Sequence, residues 1–285
     1  MLRHRSRWFS IALACIFVIE LVTAAAVTRH PDSAPQRSLA SAEDPGPPPV
    51  VIGDRTVRLI NLGGANSDLL LSRVGADIHA AVNAVVAFWG TDWAREISVV
   101  AAGSDEQFRT AAGGGTASQW ADIAAVTVAE RFDPGSRAVA GQRIVFAPGA
   151  VKMSATALRI VLTHELFHYA ARVDTALDAP RWLTEGVADF VARPTTSRPA
   201  EAPPAALPSD DDLDIPGPAR SRAYDRAWWF TRFVADTYGT TKLRDLYLAA
   251  CGPGHSDLPR AALEVLGTDA AGLLAGWQQW MSVSS

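Results

Sequence analysis

Cysteine is scarce in this chain, with only Cys15 and Cys251 among 285 residues. Cys15 lies in an N-terminal apolar segment, so the folded part has no disulfide available and must rest on its core or on a bound metal. Cys251 has no histidine pattern to pair with, which indicates a small buried hydrophobe rather than a nucleophile. The scarcity of cysteine therefore excludes a disulfide scaffold.

An excess of positive charge is also missing. Lysine and arginine number 26 against 30 acidic residues, which gives a formal net charge of −4 at pH 7. No basic patch with interleaved aromatic residues is found, so the sequence argues against nucleic acid as a partner. The glycine run at residues 113–115 is not followed by Gly-Lys-Ser/Thr, which favours a flexible turn over a phosphate-binding loop.

The N-terminal segment is predicted to direct the chain out of the cytoplasm. Basic residues precede an apolar run at residues 11–19, and small residues follow at 24–26, which is typical of a secretory signal peptide. Residues 8–27 are also long enough to cross a bilayer as an uncleaved anchor with its basic end inside. Residues 1–28 are therefore a signal peptide or a membrane anchor. The remainder is expected outside the cytoplasmic membrane, secreted or anchored, with the membrane as a partner if the segment is uncleaved.

The rest of the chain divides into a linker and one domain. Residues 29–49 are rich in Pro, Ser and Asp, which predicts a disordered linker. Residues 50–285 are predicted to form a single domain, with an upper half at about 50–175 and a helical lower half at about 176–285. The acidic, Pro-rich stretch 194–218 favours a solvated loop over a calcium loop. Hydrophobic periodicity predicts strands at 57–62, 97–102, 121–129 and 142–147, and helices at 68–89, 224–238, 242–250, 259–266 and 270–280.

The most informative motif is His-Glu-Leu-Phe-His at residues 164–168. On a helix, His164 and His168 are one turn apart, so both imidazoles project from one face and can bind one Zn²⁺ per chain. Glu165 then lies beside the metal and is the candidate general base. The alternative is a pair of core histidines with satisfied hydrogen bonds, which would make the downstream carboxylates coincidental.

A hydrolytic zinc site uses three protein ligands and leaves the fourth position for water, so a further ligand is expected. Glu185 and Asp189 would share one face of a helix that starts after Asp178-Ala179-Pro180. Glu185 is the predicted ligand. Asp189 is predicted to accept a hydrogen bond from the non-ligating nitrogen of His164, which would fix the imidazole tautomer. A solvated helix face is the alternative for Asp189.

Asp174 is a rival for the ligand position, because it lies six residues past His168, the offset of the last ligand in metzincin-type enzymes. Those enzymes need Gly at the midpoint so that the chain can turn back to the metal, and here the midpoint is Ala171. None of the three methionines is placed for a Met-turn. The sequence therefore favours Glu185.

The chain resembles the gluzincin metallopeptidases, in particular the peptidase-MA-like group related to thermolysin and the zinc aminopeptidases. The resemblance is carried by His-Glu-Leu-Phe-His-Tyr and by Pro-Arg-Trp-Leu-Thr-Glu-Gly-Val-Ala-Asp-Phe, and softer similarity extends over most of residues 55–280. Two features depart from the family. The gap from His168 to Glu185 is shorter than in thermolysin or the zinc aminopeptidases. The chain also has no Gly-Ala-Met-Glu-Asn-like segment before the motif, which in aminopeptidases anchors the free amino terminus of the substrate. Exopeptidase activity is therefore not supported.

The resemblance implies an α+β, zincin-like fold with a small mixed sheet and metal-binding helix in the upper half and an all-helical lower half. It implies zinc-dependent hydrolysis of a peptide or protein substrate, in which Glu165 takes a proton from water and passes it to the leaving amine. Relatives place a Tyr or His donor near the carbonyl oxygen, and Tyr224 is the candidate here, with simple packing as its alternative. The strand at 121–129 is a candidate edge for an extended peptide.

Two other functions stay open at this point. A non-catalytic surface protein with a zincin fold would keep the same residues, since the presence of catalytic groups does not prove turnover. A structural zinc protein is disfavoured, because three ligands leave an open position whereas structural sites are closed by four. The prediction is therefore a zinc metallopeptidase, with the binding protein as the alternative.

Overall fold

The computed structural model describes residues 21–22, 48–121, 123–133, 136–196, 204–215 and 217–282. The predicted signal peptide or anchor and the predicted linker lie almost entirely outside the described residues, so both stay predictions. The described part is a mixed α/β fold with a small mixed sheet.

The described residues contain eight strands, β1 Leu21–Val22, β2 Val50–Ile52, β3 Arg55–Asn61, β4 Glu96–Ala101, β5 Ala125–Ala129, β6 Arg131–Asp133, β7 Ala138–Ala140 and β8 Arg143–Phe146. Six of them form one sheet in the order β1-β5-β8-β4-β3-β2, and β6 pairs with β7 in a separate hairpin. Strands β3, β4 and β8 are parallel, whereas β5 is antiparallel to β8. β4, β5 and β8 are rich in Val, Ile and Ala and mostly buried, as expected of strands covered on both faces.

The same part of the chain contains nine α-helices, α1 Gly64–Trp89, α2 Asp105–Ala111, α3 Ala155–Ala171, α4 Arg181–Ala192, α5 Asp210–Asp214, α6 Pro218–Tyr238, α7 Thr240–Cys251, α8 Leu258–Leu266 and α9 Ala270–Ser282. Each predicted helix and strand overlaps one of these elements, although the strand predicted from residue 121 begins only at Ala125. β2, the β6–β7 hairpin and α2 were not predicted. Such short elements carry too few residues for a clear periodicity.

Helix α1 packs against β3, β4 and α3. Its buried side chains include Leu70, Val74, Ile78 and Val85, a spacing that gives one apolar stripe along the helix. Length and composition alone would let α1 cross a membrane, but this is weak support for a span because core helices of soluble proteins share both properties. In this fold, the stripe of α1 covers the sheet and the helix that carries the His-Glu-Leu-Phe-His motif.

Helix α3 is the central helix and carries that motif. Ser154 caps its N-terminus, where Oγ accepts a hydrogen bond from the Ala157 N–H at 3.1 Å. Every residue from 160 to 171 is buried, because α1, α4 and the sheet all pack against α3. This part of α3 has no exposed polar face, as expected of a helix covered on all sides, and its polar side chains Thr163, His164, Glu165 and His168 are buried.

Helix α4 packs closely against α6 because Gly186 has no side chain at their contact. A Cβ atom at Gly186 would lie 2.8 Å from the backbone oxygen of Ala227. The Thr231 hydroxyl donates a hydrogen bond of 2.9 Å to the Gly186 carbonyl and joins the two helices at the same point. This contact holds the part of α4 that carries Glu185.

The acidic stretch 194–218, predicted as a solvated loop, contributes to the N-terminus of α4. It contains α5, and the Asp210 carboxylate accepts hydrogen bonds from the backbone N–H groups of Arg181 at 3.1 Å and Trp182 at 2.7 Å. Pro180 offers no side-chain cap to α4, so Asp210 supplies the acceptors that the first amides of the helix need. The loop prediction was therefore wrong for α5, which completes the N-terminus of α4.

Candidate metal site

Three side chains from α3 and α4 converge on one point. Nε2 of His164 lies 3.0 Å from Nε2 of His168 and 3.2 Å from Oε2 of Glu185, and Oε1 of Glu185 lies 3.7 Å from Nε2 of His168. The three residues are 4%, 1% and 0% exposed, respectively. Buried imidazoles and a carboxylate that point at one another form a group that could hold a metal ion.

The rival ligand Asp174 lies elsewhere. It ends the turn after α3, and its carboxylate pairs with Arg137 at 2.6 Å. Among the residues that the structure describes, Asp174 belongs to no group that could hold a metal. Of the two ligand candidates, the fold brings only Glu185 to the histidines.

Asp189 is joined to the other ring nitrogen of His164. Its Oδ1 lies 2.9 Å from Nδ1 of His164, and because a carboxylate only accepts hydrogen bonds, Nδ1 carries the hydrogen. Burial alone would raise the pKa of Asp189, but the charge of Arg193 and the hydrogen bond from His164 outweigh it, and the pKa is lowered. The carboxylate is buried rather than on a solvated face. It therefore turns Nε2 of His164 toward the three-residue group, as expected of a residue behind a metal ligand.

His164 is easier to protonate than an ordinary histidine. Burial lowers its pKa, but hydrogen bonds to Asp189 and Glu185 outweigh that effect and raise the pKa from 6.5 to about 9. In the metal-free chain the imidazole is therefore a cation at neutral pH. A metal ion needs the neutral form, so it would have to displace this proton.

Glu165 lies one residue after His164 and is fully buried. Burial raises its pKa, against the lowering effects of the two histidines and of Thr127. Oγ1 of Thr127 lies 2.8 Å from Oε2 of Glu165 and 2.8 Å from its backbone oxygen. No partner among the described residues reaches Oε1. One carboxylate oxygen is thus held by Thr127 of β5, while the other can accept a proton.

Tyr224 of α6 lies in the same region. It is buried, and burial raises its pKa well above the ordinary value, with further contributions from the negative charges of Glu185 and Asp189. The phenol therefore keeps its proton at neutral pH and can donate a hydrogen bond. This is the property that an oxyanion donor needs, although the role itself stays a prediction.

Sequence reasoning missed Thr127 and Arg193. Arg193 pairs with Oδ2 of Asp189 at 2.6 Å, and its position four residues after Asp189, directly after the end of α4, was a usable signal for this ion pair. Thr127 lies 38 residues before Glu165, and nothing in the local sequence around it indicates that contact.

A cavity of about 650 Å³ lies beside the end of α3 and is lined by Glu96, Arg137, Gln142 and Tyr169, among others. None of its lining residues belongs to the three-residue group. The cavity is therefore separate from the group, whose three residues are at most 4% exposed.

Comparison of the chain with protein-family models, with curated proteins and with solved structures finds no match. Function must therefore be argued from the chemistry of the site.

Proposed function

We propose that this chain is a zinc metallopeptidase of the gluzincin type with a zincin-like fold, exported or anchored to the cell membrane by residues 1–28. The spacing of the ligand atoms carries the proposal. In tetrahedral zinc sites with bonds of about 2.0–2.2 Å, neighbouring ligand atoms are about 3.3–3.5 Å apart. The distances among His164, His168 and Glu185 are 3.0, 3.2 and 3.7 Å, so one zinc ion per chain fits with small adjustments.

Three ligands leave one position for water or substrate, where a bound zinc ion would polarise the scissile carbonyl and activate a water molecule. Glu165 takes the proton of that water on Oε1 and passes it to the leaving amine. The Thr127 hydroxyl lies 2.8 Å from Oε2 and can donate its hydrogen to it, which would limit rotation of the carboxylate. The Tyr224 hydroxyl is the proposed donor to the carbonyl oxygen as it gains negative charge.

The edge of β5 supports a peptide as the substrate. β1 pairs only with Val128 and Ala129, and within the described ranges no strand pairs with the outer side of residues 125–127. Ala125 and Val126 are 0% exposed, so an extended peptide could form main-chain hydrogen bonds along this edge only after the groups that cover it move away. Thr127 belongs to the same stretch and contacts Glu165, so a peptide bound here would lie beside the general base.

Metal binding without turnover, as in a non-catalytic binding protein, is the second candidate. The burial of the site favours it, since none of His164, His168, Glu185 and Glu165 is more than 4% exposed. A peptidase with this site must open it to admit a substrate. A binding protein has no such need.

Two substitutions in the full chain separate these possibilities. Zinc content after dialysis is expected to be one ion per wild-type chain and to be lost in His168→Ala. Glu165→Gln should retain zinc, while hydrolysis of a mixed peptide library falls by about 10²- to 10⁴-fold, or roughly 3–5 kcal/mol of barrier. His79→Ala, at an exposed position of α1, is the control and should change neither.

The outcomes differ clearly. Hydrolysis that persists in Glu165→Gln at the wild-type rate and equal zinc content would reject the mechanism. A wild type that binds zinc but cleaves nothing would support the non-catalytic protein. A wild type with no affinity for zinc would reject both candidates.

A further inference from the structure

The carboxylate behind the metal site is itself fixed at both oxygens. Oδ1 of Asp189 is bound to His164, and Oδ2 forms an ion pair of 2.6 Å with Nη2 of Arg193. An Asp carboxylate rotates easily about its terminal torsion when nothing holds it. Here a rotation would break both contacts at once, so Arg193 limits the orientations that Asp189 can adopt.

Arg193 is anchored in turn by α6. Its Nη1 donates a hydrogen bond of 2.7 Å to Oδ1 of Asp225, and its guanidinium carbon lies 4.9 Å from the centre of the Trp228 ring. The Arg193 side chain is 13% exposed, so solvent screens these contacts only partly. A continuous chain of contacts therefore runs from Asp225 through Arg193 and Asp189 to His164 and joins three helices.

We propose that Arg193, anchored by Asp225, is a positioning residue for the metal. By holding Oδ2 of Asp189, it keeps Oδ1 on Nδ1 of His164 and thereby keeps Nε2 of His164 turned toward the metal. This inference rests on the metal site proposed above. Residues behind a metal ligand typically contribute about 10- to 100-fold to affinity, and Arg193, one contact further out, should contribute about tenfold.

The competing explanation is that Arg193 only ties α4 to α6. It predicts a loss of stability without a change in the affinity of the folded protein for zinc. Arg232 of α6 provides a matched control, because its side chain is 14% exposed and pairs with Asp236 at 3.6 Å without any contact to Asp189 in the part of the chain described.

The experiment measures the zinc dissociation constant of the full chain by competition with a chelator, at a temperature where each variant is folded. Arg193→Gln removes the cation. Arg193→Lys keeps the charge but lacks the planar fork that reaches two carboxylates. Asp225→Asn removes only the negative charge of the anchor. The visible spectrum of the Co²⁺-loaded protein is a second readout, since it reports the geometry of the ligands.

We expect the zinc dissociation constant to rise about tenfold in Arg193→Gln, and by less in Arg193→Lys and Asp225→Asn, with an altered Co²⁺ spectrum in each. Arg232→Gln should match the wild type in both readouts even if its melting temperature falls. Wild-type zinc affinity in all three test variants would overturn this inference and leave the metal site intact. An equal loss in Arg232→Gln would also overturn it. A wild type that binds no zinc would reject the metal site itself, and this inference with it.

Discussion

Zinc affinity should rise steeply between pH 6 and 9, because zinc must displace a proton from His164. Hydrogen bonds to Asp189 and Glu185 hold the pKa of this imidazole at about 9 in the metal-free chain. Each pH unit below that value costs about tenfold in apparent affinity, or about 1.4 kcal/mol. At pH 7 the cost is about 100-fold, or roughly 2.7 kcal/mol, relative to the affinity of the fully neutral imidazole.

The same shift gives the metal-free fold the opposite pH dependence. A histidine whose pKa is raised on folding stabilises the fold fully below its unfolded pKa of about 6.5, and this contribution is lost as the pH rises through about 9. The difference corresponds to about 3 kcal/mol. Stabilisation by bound zinc instead grows with pH because the affinity grows. Melting temperatures with zinc and with a chelator should therefore diverge as the pH rises.

Calorimetry in buffers of different ionisation enthalpy measures the protons released, and about one per zinc is expected at pH 7. Chelator competition from pH 6 to 9 gives the affinities themselves. Asp189→Asn serves as the matched variant. It removes the negative charge that helps to raise the pKa of His164 and leaves only a neutral amide oxygen as acceptor, so its zinc affinity should depend less on pH. A wild-type affinity that is constant or falls toward pH 9 would refute this reasoning.

The remaining predictions concern the residues around the metal and the N-terminus. Asp189→Asn should weaken zinc binding about 10- to 100-fold at pH 9, and an unchanged affinity there would leave Asp189 no part in metal binding. Thr127→Val should slow peptide hydrolysis about 10- to 100-fold at equal zinc content, since a hydrogen bond to a charged group is worth about 1.5–3 kcal/mol, whereas Thr127→Ser should restore the rate. Tyr224→Phe should lower kcat about 10²- to 10³-fold with little change in KM. If kcat stays at the wild-type value, Tyr224 has a packing role and does not act as the oxyanion donor. Residues 1–50 fused to a reporter active only outside the cytoplasm should give signal, and mass analysis of the mature N-terminus would separate cleavage near Ala26 from retention.

The candidate ligands could be predicted from the sequence because helical periodicity is local. A spacing of four residues places His164 and His168 on one face of a helix, and likewise Glu185 and Asp189, whenever each segment is helical. This holds independently of the tertiary structure. The apolar surroundings of the first pair and the proline before the second indicated those helices. The choice of Glu185 over Asp174 could also be argued locally, from the missing glycine at Ala171.

The environment of these residues was not accessible, because it depends on the path of the chain. Thr127 reaches Glu165 across 38 residues, and Asp225 reaches Arg193 across 32, by contacts that exist only once β5 lies beside α3 and α6 lies against α4. The acidic residues at 210–214 looked solvated because their composition is polar. Asp210 caps α4 only because the chain returns to that helix.

The sequence by itself determined which residues could bind a metal and which helices present them, because both follow from neighbours within one or two turns. Only the tertiary structure decided that the two helices meet with ligand atoms 3.0–3.7 Å apart, that the site is buried, and that His164 holds a proton at neutral pH. Distances between helices, desolvation and ion pairing arise from packing between distant segments, and no local pattern encodes them.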